Sequence, residues 1–491
     1  MQEEAAMLPK SAETKRDEAP ELSAAAQASL AQEDTSKMFG GRGSRSSRIE
    51  AGKAARQRAP RAQLATCTLV ERDPIALLEK SNVGRLPNLI PIRYGRMVAN
   101  PFAFYRGAAP LMAFDLSKLP RTDIIVQLGG DAHLANFGLF ASPERRILFG
   151  PNDFDETLPG PFDWDVRRLA ASFVIAARER GFKQSDQRGI VRRLCATFRE
   201  LIGDFSAMDT LDVWYYHFGA ENMLALADTE LERKKELAVI SKARGQSSRS
   251  VMSHATELVN GKLQIRDQPP LVYHFPKGNP QRAKQFDAIV RHFFAEYRMT
   301  LPDDRRALFD RYELVDMAVR VVGVGSVGTR CFEALFMADG QSPLFLQVKE
   351  ARASVLEEYV SSSRFGNHGE RVVNGQRLLQ SSSDLFLGWS RAHITNSDFY
   401  VRQLRDMKGA FDFTTFDVAD LSEYAVSCAH ALAHSMAKAG DPALIYGYVG
   451  KSEAFDDAIV KFAEAYAERN EADWDVLKKA VKAGRVPVMR E

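Results

Sequence analysis

Cysteine is scarce in this chain of 491 residues, with four in all, at Cys67, Cys195, Cys331 and Cys428, none close to another in sequence. With no C-x2-C pair, a zinc ribbon or dithiol redox motif is excluded, and the four read as buried, reduced thiols. Long apolar runs are missing as well, so no membrane-spanning helix and no membrane partner are expected. The opening stretch MQEEAAMLPKSAETKRDEAPE holds no apolar core of a secretory leader, which points to a cytoplasmic location. An excess of one charge is also lacking. The 66 Lys and Arg against 64 Asp and Glu leave +2, which by itself argues neither for nor against nucleic acid, and none is expected as a partner. Histidine numbers nine with no G-H-x-H pair, which weakens a binuclear metallophosphoesterase reading.

What is present is an ordinary globular composition, 45% hydrophobic and 26% charged, long enough for two large domains. Residues 1–62 carry too few large apolar groups to offset their ordering entropy and are predicted as a disordered tail, basic from Lys37 to Arg61. Order is predicted to begin near Pro74 with a short helix capped by Asp73. Residues 74–310 read as a mostly helical lobe, 311–410 as a β-rich lobe, and 411–491 as helices returning to the helical lobe. Helical spacing is clearest over 164–179, 184–206, 220–240, 280–299, 420–439 and 452–485, while 241–283 reads as a polar connection.

The chemistry-bearing motifs fall in two groups. In the first, Gly129-Gly130-Asp131 follows a strand-like apolar run, and Asn136 stands five residues after Asp131. Asn152-Asp153-Phe154-Asp155 comes after a second such run, so Asp131 and Asp153 are expected on loops after neighbouring strands. A D-x4-N element followed by D-F-D is the arrangement of kinase-like phosphotransferases. There one Asp orients the acceptor hydroxyl, and the Asn and later Asp hold Mg²⁺ against the nucleotide phosphates. Asp131 is thus the candidate base; Asn136, Asp153 and Asp155 are the candidate metal ligands. A turn former is the competing reading for Asp131 and Asp155, and a structural role is favoured for His133.

The second group begins with Gly323-x-Gly325-x-x-Gly328, which includes Ser326. A Rossmann turn would continue into a helix, but a β-branched and aromatic run follows, so a β-meander is predicted with the glycines in its first turn. Lys349 lies in the third strand, where a buried ammonium needs an anionic partner. A glycine loop over phosphates and a lysine on a later strand again fit a kinase, with the acid sought on a predicted helix at 352–362. Glu357 and Glu358 are nearest, with Glu370 a further option. These parts come almost 200 residues after the first group, the reverse of the kinase order, so a circular permutation is required. It predicts Lys349 within about 10 Å of Asp153. The strand at 399–404 would lead to the hinge, with Arg402, Arg405 and Lys408 on a solvated face.

The segments 102–107, 130–138, 152–157, 322–330, 346–351 and 400–409 together resemble a bacterial family of uncharacterised proteins, domain of unknown function 2252, over about residues 74–485. More distantly, the site resembles aminoglycoside and other small-molecule phosphotransferases, with Gly129 where those enzymes usually carry His. Motifs and resemblance together imply an α+β, kinase-like two-lobe fold, circularly permuted, that uses ATP and Mg²⁺ to phosphorylate a hydroxyl of a small molecule or protein. A non-catalytic nucleotide-binding module and a metal-dependent phosphoesterase are the alternatives.

Overall fold

The computed structural model describes residues 43–489 except 69, 228, 275–279, 322 and 405. Most of the predicted tail therefore lies outside the described residues, as does Arg405. Its last part is a correction to the expectation of disorder: Arg45–Arg58 is a helix. Large apolar groups do not hold it. Gly52 crosses Gly447 of the Pro442–Val449 helix so closely that a Cβ on Gly52 would lie 2.1 Å from Leu444 O. Arg56 and Arg61 then donate to the last carbonyls of that helix, Tyr448 O at 2.8 Å and Val449 O at 2.6 Å. This is a favourable place for cations.

The fold is α+β. Four short strands come first, β1 (Ile125–Leu128), β2 (Phe137–Ala141), β3 (Ile147–Pro151) and β4 (Leu158–Pro161). They pair antiparallel as β1–β4 and β2–β3. The strands before Asp131 and Asp153 are therefore not ladder neighbours, contrary to expectation; β1 and β3 each pair with another strand. Against them lies the Asp163–Glu179 helix, buried along nearly its whole length among the Gln184–Ala207, Val418–Ala439 and Ala454–Lys482 helices. Asp73 caps the Pro74–Asn82 helix as predicted, accepting from Ile75 N at 2.8 Å.

The polar connection contains a small hairpin, β5 (Thr256–Val259) with β6 (Lys262–Ile265), and then β7 (Val272–Tyr273). The predicted meander follows as β8 (Glu313–Arg320), β9 (Cys331–Ala338) and β10 (Ser342–Ala351). With β11 (Gly388–Ala392) and β12 (Ser397–Gln403) they form an antiparallel sheet in the order β11-β12-β10-β9-β8-β7. Asp339 and Gly340, both at positive φ, make the tight β9–β10 turn. Along β10 the side chains alternate. Leu344, Leu346 and Val348 face Phe293 and Tyr297 of the Pro280–Met299 helix, which directs Gln347 and Lys349 to the other face.

Two helical expectations fail. Residues 355–359 form turns, because Glu357 folds back to accept from Ser354 N at 2.9 Å and Ser363 N at 3.1 Å, replacing helical hydrogen bonds. The 220–240 segment divides into Ala220–Leu226 and Glu230–Gly245, the second started by a Thr229 capping box. Among the described residues no helix is long and apolar enough to cross a membrane.

Candidate functional site

The chain turns sharply where β1 ends. Asp165, from the first turn of the Asp163–Glu179 helix, accepts Gly129 N at 2.7 Å and Gly130 N at 3.1 Å. Gly130 has φ +80, and a Cβ there would lie 2.3 Å from Glu156 O, so only glycine fits. This places Asp131 against Arg168, one helical turn beyond Asp165. The Arg168 Nε donates to Asp131 Oδ1 at 2.6 Å, and its Nη2 contacts the same oxygen. Arg168 is itself held by Tyr105, whose backbone oxygen accepts from Nη2 at 3.2 Å and whose ring lies 4.5 Å from the guanidinium. Burial pushes the Asp131 carboxyl up to about 7, against the opposing pull of Arg168. The other carboxylate oxygen, Oδ2, lies 3.9 Å from His133 Nε2. Burial and the nearby Arg168 and Arg106 hold His133 well below its ordinary value, hence neutral, and its buried Nδ1 has no hydrogen-bond partner among the described residues.

Asn136 joins the two acidic loops. Its Nδ2 donates to Asp131 O at 2.8 Å, and its own carbonyl accepts from Asn152 N at 2.8 Å. The next residue, Asp153, has Oδ2 at 3.7 Å from Lys349 Nζ. Lys349 and Asp153 thus meet well inside the expected distance, although 196 positions separate them in the sequence. Asp155 is the closer partner of the ammonium. Its carboxylate also accepts from Tyr400 Oη at 2.9 Å and Ser326 Oγ at 3.2 Å. Burial would raise the Asp155 carboxyl, but Lys349 and these hydrogen bonds outweigh it and hold it low. Burial likewise disfavours the Lys349 charge, but Asp153 and Asp155 reverse that and hold it well above the ordinary lysine range.

The glycine loop connects β8 to β9 and lies over these groups. Gly323 and Gly328 take positive φ, and a Cβ on Gly325 would sit 3.2 Å from Arg106 O. The loop is tied to the segment before it in the cleft wall. Leu86 N donates to Gly328 O at 2.7 Å, Arg85 to Val327 O at 2.6 Å, and Arg96 to Gly323 O. Beneath it is a cleft of about 340 Å³ whose walls include Asp131, Asn136, Asp153, Asp155, Gly323, Gly325 and Ser326. Gly328 faces Arg85 and shapes the loop from outside.

Glu357 is not brought to Lys349. Its carboxylate binds backbone amides in the turn and lies 3.8 Å from Arg371 and His368. Glu358 pairs with Lys80 at 2.7 Å, and Glu370 occupies the first turn of the His368–Leu379 helix. The acids that meet the lysine are those first read as metal ligands. Asp153 and the Asn136 side chain offer hard oxygens suited to Mg²⁺; Asp153 Oδ1 also accepts from Asp155 N at 3.2 Å, and the Asp155 oxygens are held by Tyr400, Ser326 and Lys349.

Three further residues build the site. Arg168 grips Asp131, and Tyr400 grips Asp155. Arg371 ties the Asp155 loop to the sheet through Asp155 O at 2.7 Å, Thr157 O at 2.6 Å and Arg352 O at 2.7 Å. One signal was available for Arg168. A charge that falls next to the apolar stripe of a helix is buried with it and therefore needs a partner.

In this α+β chain the acidic loops and the glycine loop line one cleft, and a buried lysine behind it pairs with two of those acids. Residues 85–480 match the family described as uncharacterized protein conserved in bacteria (DUF2252), and the chain belongs to it. No curated protein and no solved structure matches the chain.

Proposed function

We propose that the chain is an ATP- and Mg²⁺-dependent phosphotransferase with a kinase-like, circularly permuted two-lobe fold, acting on a hydroxyl of a small molecule or protein side chain. The β-rich lobe is 311–410 together with β7 and the Pro280–Met299 helix that packs on its sheet, and the other lobe is the rest of 74–310 with the returning helices of 411–491. The observation that carries this reading is the meeting of Lys349 with Asp153 and Asp155 under the glycine loop, in the cleft that Asp131 lines. The connectivity adds support: glycine loop, lysine strand, helix and two further strands follow one another as in kinases.

In this mechanism Asp153 and Asn136 would hold Mg²⁺, which would supply charge neutralisation at the phosphates. Lys349 exchanges Asp155 for nucleotide phosphate oxygens, and the amides of Gly323, Gly325 and Ser326 cover them. Asp131 orients the acceptor hydroxyl through Oδ2 and takes its proton, with Oδ1 fixed by Arg168. A carboxyl near 7 is matched to proton transfer at neutral pH. Kinases pair their lysine with a helix glutamate; here Asp155 replaces it, and the corresponding helix contributes Arg371. Calorimetric titration of the full chain with ATP tests the reading. Binding that requires Mg²⁺ is expected, and equal binding with and without metal contradicts it.

A further inference from the structure

A second cluster of ligand-type side chains lies outside the cleft, where the Pro280–Met299 helix meets the turn after β11. His292 and Glu296 are one turn apart on the helix and so share a face. His393, just beyond β11, completes the group. His393 Nε2 is 2.7 Å from Glu296 Oε1, and His292 Nε2 is 3.4 Å from the same oxygen. One ligand atom from each residue lies within 4.8 Å of the other two. Both imidazoles thus aim at one carboxylate oxygen.

The spacing suits a transition-metal ion. Tetrahedral bonds to nitrogen and oxygen of about 2.0–2.1 Å place ligand atoms roughly 3.3–3.4 Å apart. The His292–Glu296 separation already has that value. His393 needs to withdraw by only about 0.6 Å, within the reach of an exposed turn. Glu296 has outer support, since Ser390 Oγ lies 3.4 Å from Oε2 and leaves Oε1 toward the imidazoles. Arg391, a cation whose charge reaches Glu296, is engaged by Asp398 at 2.6 Å. His292 and His393 are exposed, so an ion enters directly from solvent and keeps a water in its fourth position.

We propose that His292, Glu296 and His393 form a binding site for a divalent transition-metal ion of the zinc type, independent of the phosphotransfer cleft. Bound there, the ion cross-links the helix to the β11–β12 turn. Without it, the helix meets β11 and β12 through Phe293 packed on Phe399, rings 5.6 Å apart, and through Ser390 Oγ donating to Phe293 O at 3.0 Å.

The test strips the full chain with EDTA and titrates it with zinc chloride by calorimetry, following unfolding temperature in parallel. Asp153→Asn separates this site from the acids of the cleft. Wild type and Asp153→Asn are expected to share one zinc equivalent that raises the unfolding temperature. His292→Ala, His393→Ala and Glu296→Gln should each weaken that equivalent by about tenfold or more. Circular dichroism identifies variants that keep the fold, and the exposed His292 provides the substitution least able to disturb it. Absence of a zinc equivalent in wild type, or unchanged affinity in folded His292→Ala, overturns the proposal.

Discussion

Replacing Lys349 by Met removes a buried ammonium and leaves its acids behind. Lys349 is 3% exposed, while Asp155 and Asp153 are 24% and 33% exposed. Breaking a fully buried pair from one side costs roughly 3–5 kcal/mol. The acids here keep some solvent, and Asp155 retains the Tyr400 and Ser326 hydroxyls, so the expected loss is about 2–4 kcal/mol near neutral pH. Asp155→Asn should cost less, about 1–2 kcal/mol, because Lys349 keeps Asp153 at 3.7 Å. The loss has a pH signature. In wild type the folded Asp155 carboxyl is held low, so its stabilisation is present above the unfolded value and is lost as pH falls through the folded one. In Lys349→Met the largest lowering cause is gone while Tyr400 and Arg402 remain, so the folded value rises and most of the carboxylate's pH-dependent stabilisation is lost. Urea unfolding at about pH 7 and about pH 4 should therefore show the gap from wild type narrowing toward acid. A variant within about 0.5 kcal/mol of wild type at both values would refute the buried-pair reasoning.

Three other substitutions probe separate parts of the account. Asp153→Asn should abolish most of the extra thermal stabilisation that Mg²⁺ adds to ATP binding; full retention would remove Asp153 from the metal site. Arg168→Met takes away the cation that opposes burial of Asp131, so the acid limb expected of the proposed activity should move to higher pH; a downward move contradicts the assignment. Gly130→Ala forces a side chain into positive φ and against Glu156 O, and should cost roughly 2 kcal/mol or more in chemical unfolding. Unchanged stability there would mean the turn relaxes freely.

Local pattern and long-range pairing differ in how far they were readable. The β8–β10 meander announces itself, because a run of apolar and aromatic residues ends at the Asp339-Gly340 turn. The five candidate residues Asp131, Asn136, Asp153, Asp155 and Lys349 also meet as one group, their types being those that charge neutralisation demands. The partner of Lys349 was misread because proximity along the chain favoured Glu357, and the predicted helix that would present it was overridden by hydrogen bonds of that carboxylate to Ser354 and Ser363. The Arg45–Arg58 helix was missed since glycine-to-glycine contact, not apolar bulk, docks it, and composition carries no trace of such a contact. The separate pairing of β1 and β3 is likewise a tertiary choice, invisible in two short apolar runs.

The central claim is that Asp131 directs transfer of a phosphoryl group. Purified chain is incubated with Mg²⁺ and ATP labelled at either the α- or the γ-phosphate, and each label is followed to water, to the protein itself or to added hydroxyl acceptors. The account predicts that the γ label alone moves, and that Asp131→Ala binds ATP with nearly unchanged affinity while turnover falls by roughly 10²-fold or more. Movement of the α label, no movement of either label in wild type, or full turnover in Asp131→Ala would contradict it.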